Sequence, residues 1–218
     1  MNGVMMLYTC GKTPGVRVPS RKAVGKKIQR GRKMKLVVLV VKLALTAYLG
    51  YLVFFFLSTN GPAGHGYRPP FVLWVLDTMN LFIHEGGHFL LRPFGMWIYV
   101  FAGSFVQCAL PFALAFVLWR QNQASMPYAA FWFGENLVNV SYYIKDAPYK
   151  HLRLLASGLI HDWNWLLSGN LDSAEWMGDM VWGVGVVTCV VAVGLGIYFA
   201  VRGFLDERDQ EEDWRLST

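Results

Sequence analysis

Four stretches of this chain, residues 36–57, 71–91, 97–119 and 180–201, are apolar runs close to the roughly 20 residues that a helix needs to cross the hydrocarbon core of a bilayer. Residues 126–144 form a fifth, more polar span. Residues 154–169 are a sixth candidate, short for a full crossing, which spans the membrane, re-enters it or lies at its interface. Pro69-Pro70 marks the entry to the second run, Pro93 its exit and Pro127 the start of the fourth helix, all positions where proline is tolerated at a helix end. The expected architecture is all-α: a polytopic membrane helix bundle of five to six transmembrane segments.

Charge agrees with this reading. Only 16% of the residues are charged, against about a quarter in soluble domains. The net charge of +6 is confined to one arm: ten of the twenty basic residues lie between Lys12 and Lys35, and no acidic residue precedes Asp77. From Leu36 onward ten basic residues face fourteen acidic ones. A basic excess so placed is a cytoplasmic anchor beside anionic lipid, and no nucleic-acid partner is implied. Three divisions follow: a basic, disordered cytoplasmic arm over 1–35, a membrane-embedded bundle over 36–203, and an acidic tail over 204–218. Met34-Lys35 also resembles a natural start, so residues 1–33 read either as an extension or as an Arg-rich targeting arm. The first apolar run is too long for a cleaved signal peptide. Cys10, Cys108 and Cys189 show no metal or disulfide spacing.

The second run contains His84-Glu85-Gly86-Gly87-His88. On a helix, histidines four residues apart share a face, so both imidazoles can reach one Zn²⁺ while Glu85 stands beside it as a general base. The bland reading is a pair of buried histidines hydrogen-bonded for packing. A catalytic zinc has three protein ligands and an open position, and two places can supply the third. One is Asp146, ending the fourth span; the other is His161-Asp162. Depth favours the second, because His84 and His161 both lie roughly 11–12 Å from the cytoplasmic face if residues 154–169 enter the membrane as a helix. Neighbours on a helix diverge by about 100°, so one of His161 and Asp162 binds the metal and the other supports it. His65 and His151 read as solvated side chains.

Asp77, His84 and His88 form one polar stripe, with Asn80 beside it. Glu135, Asn136, Asn139, Tyr143 and Asp146 form a second on the fourth span. Such stripes face a bundle interior, since lipid exposure of charge is costly, and the two are expected to face each other. Asn136 and Asn139 taken singly are equally well read as interhelical hydrogen-bond glue.

With HEGGH in a membrane helix, a following helix carrying Gly103-Ser-Phe-Val-Gln107, and downstream Asn and Asp residues, the chain resembles the site-2 protease family of intramembrane zinc metalloproteases over roughly residues 71–167. The resemblance implies His84 and His88 as zinc ligands, Glu85 as general base, and an aspartate ligand from a later helix within an Asn-Pro…Asp-Gly motif. Here the stretch from Asn139 to Asp146 has no proline, and Ala147 follows the aspartate. No stretch resembles the PDZ module of many members. The implied activity is hydrolysis of a peptide bond in or next to a transmembrane segment of a membrane-protein substrate, with Asn136, Asn139 or Gln107 donating to the oxyanion. Three readings compete with it: a zinc hydrolase acting on lipid, a metal or proton transporter or sensor using the same polar stripe, and an inactive homologue with a structural role. The expected location is an integral, multi-pass membrane protein with its N-terminus in the cytoplasm.

Overall fold

A computed structural model describes residues 21–59, 61–62, 67–152 and 159–216, with side chains except those of 21–28, 32 and 207–216. The start of the basic arm, Cys10, His65, Arg153 and the first part of the 154–169 segment lie outside the described residues. Every regular element among the described residues is helical: α1 (Arg21–Ser58), α2 (Phe71–Leu91), a 3-10 turn (Arg92–Phe94), α3 (Met96–Gln121), α4 (Met126–Lys145), α5 (Asp162–Leu166) and α6 (Ser173–Leu216). The chain divides into two compact units, 1–38 and 39–218. The described part of the first is helix, and the second holds the residues of the candidate site.

Among the described residues, three helical stretches are long and apolar enough to cross a membrane: Gln29–Ser58, Met96–Gln121 and Ser173–Asp206. The remaining two long helices, α2 with 21 residues and α4 with 20, have the length but carry the polar stripes. Exposed Phe54, Phe82, Phe89, Phe112 and Val187 give the helices apolar outer faces, which suit a hydrocarbon surround in which lipid tails replace water.

Two differences from the sequence reading concern element ends. Helix α1 begins at Arg21, inside the arm read as disordered, and α6 continues to Leu216 through the acidic tail. Lysine and arginine in the arm, and glutamate in the tail, have high helix propensity and do not by themselves stop a helix. At residues 154–169, read as spanning, re-entrant or interfacial, the described part holds the five-residue α5. Asn164 accounts for much of this local structure: its backbone N–H donates to His161 Nδ1 at 3.2 Å, capping α5, and its side chain donates to the Ala147 carbonyl at 2.8 Å.

Helix α2 packs on α3, α3 on α4, and α4 on α6. One apolar core joins Leu52, Val53 and Phe56 of α1 to Leu73, Phe131, Val138, Cys189 and Ala192. A second joins Val140 and Ile144 of α4 to Ala147, Trp163 of α5 and Ala174 of α6. Trp163 is the anchor of α5, since its indole N–H donates to Ser104 Oγ at 3.1 Å and its ring meets Phe101 edge-on. By docking α5 against α3 and α4, this second core delivers Asp162 to α2.

Candidate metal centre

His84 and His88, one turn apart on α2, turn their Nε2 atoms to one oxygen, Asp162 Oδ2, at 2.8 and 3.2 Å. All three side chains are buried. Their donor atoms lie within 4.8 Å of one another and form, among the described residues, the group that could hold a metal ion. Ligand atoms about 2.0–2.1 Å from a tetrahedral metal sit about 3.3 Å apart, so these separations fit a small divalent ion after slight relaxation.

The other ring nitrogens are committed elsewhere. His84 Nδ1 meets Gln107 Oε1 at 3.1 Å, and His88 Nδ1 meets the Tyr99 carbonyl at 2.7 Å. Each of these oxygens only accepts, so each Nδ1 carries a proton, and Nε2 is the nitrogen left to face the Asp162 carboxylate or a metal. Metal-binding histidines are oriented in this way.

Two glycines make room for the centre. A Cβ on Gly103 of α3 would fall 2.5 Å from His84 Nε2 and 2.6 Å from His88 Nε2, so a side chain would occupy the space in front of both donors. A Cβ on Gly87 would lie 2.5 Å from the Ala102 carbonyl oxygen. That glycine lets α2 and α3 approach closely enough for the Tyr99 and Gln107 contacts. Gly86, by contrast, faces open space.

Tyr143 of α4 ties Asp162 down. Its hydroxyl accepts from the Asp162 backbone N–H at 3.1 Å, and its ring lies 5.7 Å from the His84 ring and 4.3 Å from the His161 ring. His161 does not join His84 and His88. Its Nδ1 accepts from Asn164, which leaves Nε2 to donate to Asp146 Oδ2 at 3.3 Å. Asp146 also accepts from the backbone N–H groups of His151 and Leu152, at 2.9 Å each. Of the three residues considered as third ligand, the structure therefore brings Asp162 to the histidines and pairs the other two with each other. The depth argument assumed a helix entering the membrane over 154–169; among the described residues of that segment the helix is the short α5. His151 is exposed and stacks on Tyr149.

A cleft of about 240 Å³ runs beside the centre, lined by Asp77, Leu81, His84 and Glu85 of α2, Gln107 of α3, and Asn139, Val140, Tyr142 and Tyr143 of α4. Glu85 thus stands on the cleft wall next to the metal-binding set. The two polar stripes do face each other: Asn80 donates to Glu135 Oε2 at 2.8 Å and Asn139 to Asp77 Oδ1 at 2.9 Å, both between α2 and α4. Gln107 Nε2 donates to Asn139 Oδ1 at 3.0 Å, linking His84 to Asp77 through two amides. Asn136, one of the three candidate oxyanion donors, is turned away. Its Nδ2 donates to the Trp132 carbonyl and it is absent from the cleft lining.

Sequence reasoning placed Gly103 in a motif and Tyr143 on a polar stripe without giving either its part here, and it missed the Tyr99 carbonyl and the Trp163–Ser104 anchor. The run His161-Asp162-Trp163-Asn164 inside an apolar segment was the available signal, since all four residues have a polar partner. Comparison with known proteins finds no matching family model, no similar curated protein and no similar solved structure.

Proposed function

We propose that the protein is a multi-pass intramembrane metallopeptidase of the site-2 protease type, with Zn²⁺ as its cofactor, cutting a peptide bond in or beside a transmembrane segment of another membrane protein. The observation that carries this reading is the convergence of His84 Nε2, His88 Nε2 and Asp162 Oδ2 beside Glu85 on a cleft wall. Two imidazoles and one carboxylate make a catalytic rather than a structural zinc set, because structural sites close with four protein ligands and commonly use cysteine. Helices α1 to α4 and α6 are five spans, with the basic arm in the cytoplasm and the C-terminus on the opposite side.

Zinc, when bound, polarises the scissile carbonyl and makes water a better nucleophile at neutral pH. The chain's own residues do the rest. His84, His88 and Asp162 hold the ion, while Gln107 and the Tyr99 carbonyl keep each imidazole in its metal-binding tautomer. Glu85 takes the proton from the attacking water and returns it to the departing amine nitrogen. Gln107 and Asn139 each keep one amide N–H outside the hydrogen bonds described above and line the cleft, so they are the oxyanion donors within reach. A peptide bond inside a helix has its carbonyl occupied, so the substrate enters with one helix end unwound.

The test pairs metal analysis with turnover on the full chain. Wild type and Glu85→Gln are expected to bind about one zinc per chain, and His84→Ala and Asp162→Ala to bind none. A transmembrane peptide in liposomes is expected to be cut by wild type and about 10²–10⁴-fold more slowly by Glu85→Gln. Zinc-free wild type, or equal cutting by Glu85→Gln, would overturn the reading. Hydrolysis of lipid in place of peptide would redirect it to a lipid hydrolase.

A further inference from the structure

The two histidines of the centre are oriented by groups of different kinds. His88 Nδ1 faces the Tyr99 backbone carbonyl, an oxygen that can only accept. His84 Nδ1 faces the Gln107 side chain, an amide with an oxygen at one corner and an N–H₂ at the other. Turned over, Gln107 would donate to His84 Nδ1, shift the ring proton to Nε2 and remove the lone pair that a metal needs. Gln107 therefore cannot fix the His84 tautomer by itself.

Its neighbour cannot either. Gln107 Nε2 donates to Asn139 Oδ1 at 3.0 Å, and Asn139 is a second reversible amide. The series ends at Asp77, an acid that the mechanism above leaves unused, whose Oδ1 accepts from Asn139 Nδ2 at 2.9 Å. A carboxylate oxygen has no proton to give. Asp77 is also hydrogen-bonded to the fully buried Glu135, so a proton shared by the two acids lies between them and not toward Asn139. With an acceptor fixed at Asp77, Asn139 turns its N–H₂ to that acid and its oxygen to Gln107. Gln107 then turns its N–H₂ to Asn139 and its oxygen to His84, and the ring carries a proton on Nδ1. Each step follows from the hydrogen-bonding capacity of the groups, which is the basis on which amide orientations and histidine tautomers are assigned.

We infer that Asp77 is a remote positioning residue for the metal centre: through Asn139 and Gln107 it sets the direction of a hydrogen-bond relay that makes Nε2 the ligand nitrogen of His84. Asp77 lies seven residues before His84 on α2, about 10 Å along the helix axis, so it acts on the ion without touching it. The relay matters because the site without metal favours the opposite arrangement. His84 Nε2 is 2.8 Å from Asp162 Oδ2, and an N–H there donates to a carboxylate in a charge-assisted bond. A neutral ring free to choose would place its proton on Nε2 and cease to be a ligand. Asp77 denies it that choice. His88 needs no such relay, because a backbone carbonyl does not turn over. The inference rests on the metal centre proposed above, whatever bond that centre cuts.

The experiment uses the full-length protein in lipid nanodiscs at mildly alkaline pH. Zinc affinity is measured by competition with a chelator, and the His84 ring is read by ¹⁵N NMR of histidine-labelled protein, its signals assigned by their loss in His84→Ala. Asp77→Asn keeps the shape but can donate, so the relay can reverse. Its zinc affinity is expected to fall about 10–100-fold. In the metal-free protein its His84 proton should move to Nε2, where wild type keeps Nδ1 protonated. The discriminating variant is Asp77→Asn combined with Gln107→Glu. A carboxylate at position 107 again demands a proton on Nδ1, and Asn139 turns over to donate to it and to accept from the new amide at 77. The double variant should therefore recover most of the zinc affinity that Asp77→Asn loses. If Asp77 serves packing alone, the double variant binds zinc no better than Asp77→Asn. That result, or an Nδ1 proton retained in Asp77→Asn, would overturn the inference. Absence of zinc from every variant sinks the metal centre, while the ring proton still decides the relay. Zinc governed by the relay without any peptide cleavage sinks the peptidase reading alone.

Discussion

His84 Nδ1 and Gln107 Oε1 lie 3.1 Å apart between α2 and α3, and this contact leaves the opposite nitrogen of the ring aimed at Asp162. Gln107 is itself held by its second hydrogen bond, to Asn139 of α4. Three helices therefore fix one imidazole. Removing the acceptor in Gln107→Leu should weaken zinc binding by about 10–100-fold, the usual cost of losing such a partner. Gln107→Glu, which keeps an acceptor in place, should retain most of the affinity. Competition with a chelator of known affinity measures both. Unchanged affinity in Gln107→Leu would show that packing alone orients His84.

The three glycines near the centre should separate cleanly. In Gly103→Ala the new methyl lies 2.5–2.6 Å from both Nε2 atoms, so zinc should be lost or its affinity fall by several orders of magnitude. In Gly87→Ala the methyl meets the Ala102 backbone oxygen, forcing α2 and α3 apart, so both zinc and melting temperature should fall. Gly86→Ala meets nothing within 4 Å and should keep its zinc. Its helix should gain up to about 1 kcal/mol from alanine's higher propensity. Metal analysis on the three variants is sufficient, and zinc loss in Gly86→Ala would contradict the geometry.

Asp146 and Asp162 should also part company. Asp162→Asn removes the only carboxylate among the three converging ligands and should leave the chain without zinc. Asp146→Asn touches no ligand directly. It loosens the turn at His151 and Leu152 and the hold on His161, so it should keep its zinc with lower thermal stability. Burial of three donors around one carboxylate suggests a cost of about 1–3 kcal/mol. Equal zinc in both variants would displace Asp162 as the third ligand.

The long-range parts of this picture were unevenly legible in the chain. Apolar run length located α2, α3, α4 and the middle of α6 because hydrocarbon thickness sets a fixed requirement. It had no hold on the ends of α1 and α6, where charged residues continue the helix in a different solvent. The stripes were readable because Asp77, His84 and His88, and Glu135 and Asn139, repeat at helical spacing. Asp162 could only be half-read. It is presented by a five-residue helix whose position depends on Trp163 reaching Ser104 and on Asn164 reaching Ala147, contacts between residues far apart in sequence. Gly103 was visible within a motif, but its reason, the space in front of two histidines on another helix, is tertiary.

The anchor of α5 offers a last test that connects packing to the metal. Trp163 donates to Ser104 from within an apolar core, and Asp162 precedes it directly in sequence. Trp163→Phe and Ser104→Ala each remove the same hydrogen bond, worth about 0.5–1.5 kcal/mol. Ser104→Ala should be the milder, because Trp163→Phe also loses ring volume. If the bond acts as a unit, the double variant should be less destabilised than the sum of the two singles, with a coupling of about 1 kcal/mol in chemical denaturation. Because α5 carries the third ligand, zinc affinity should fall along with stability in all three. An additive double variant with wild-type zinc affinity would mean that Tyr143, through its hydrogen bond to the Asp162 backbone, holds the ligand without help from the tryptophan.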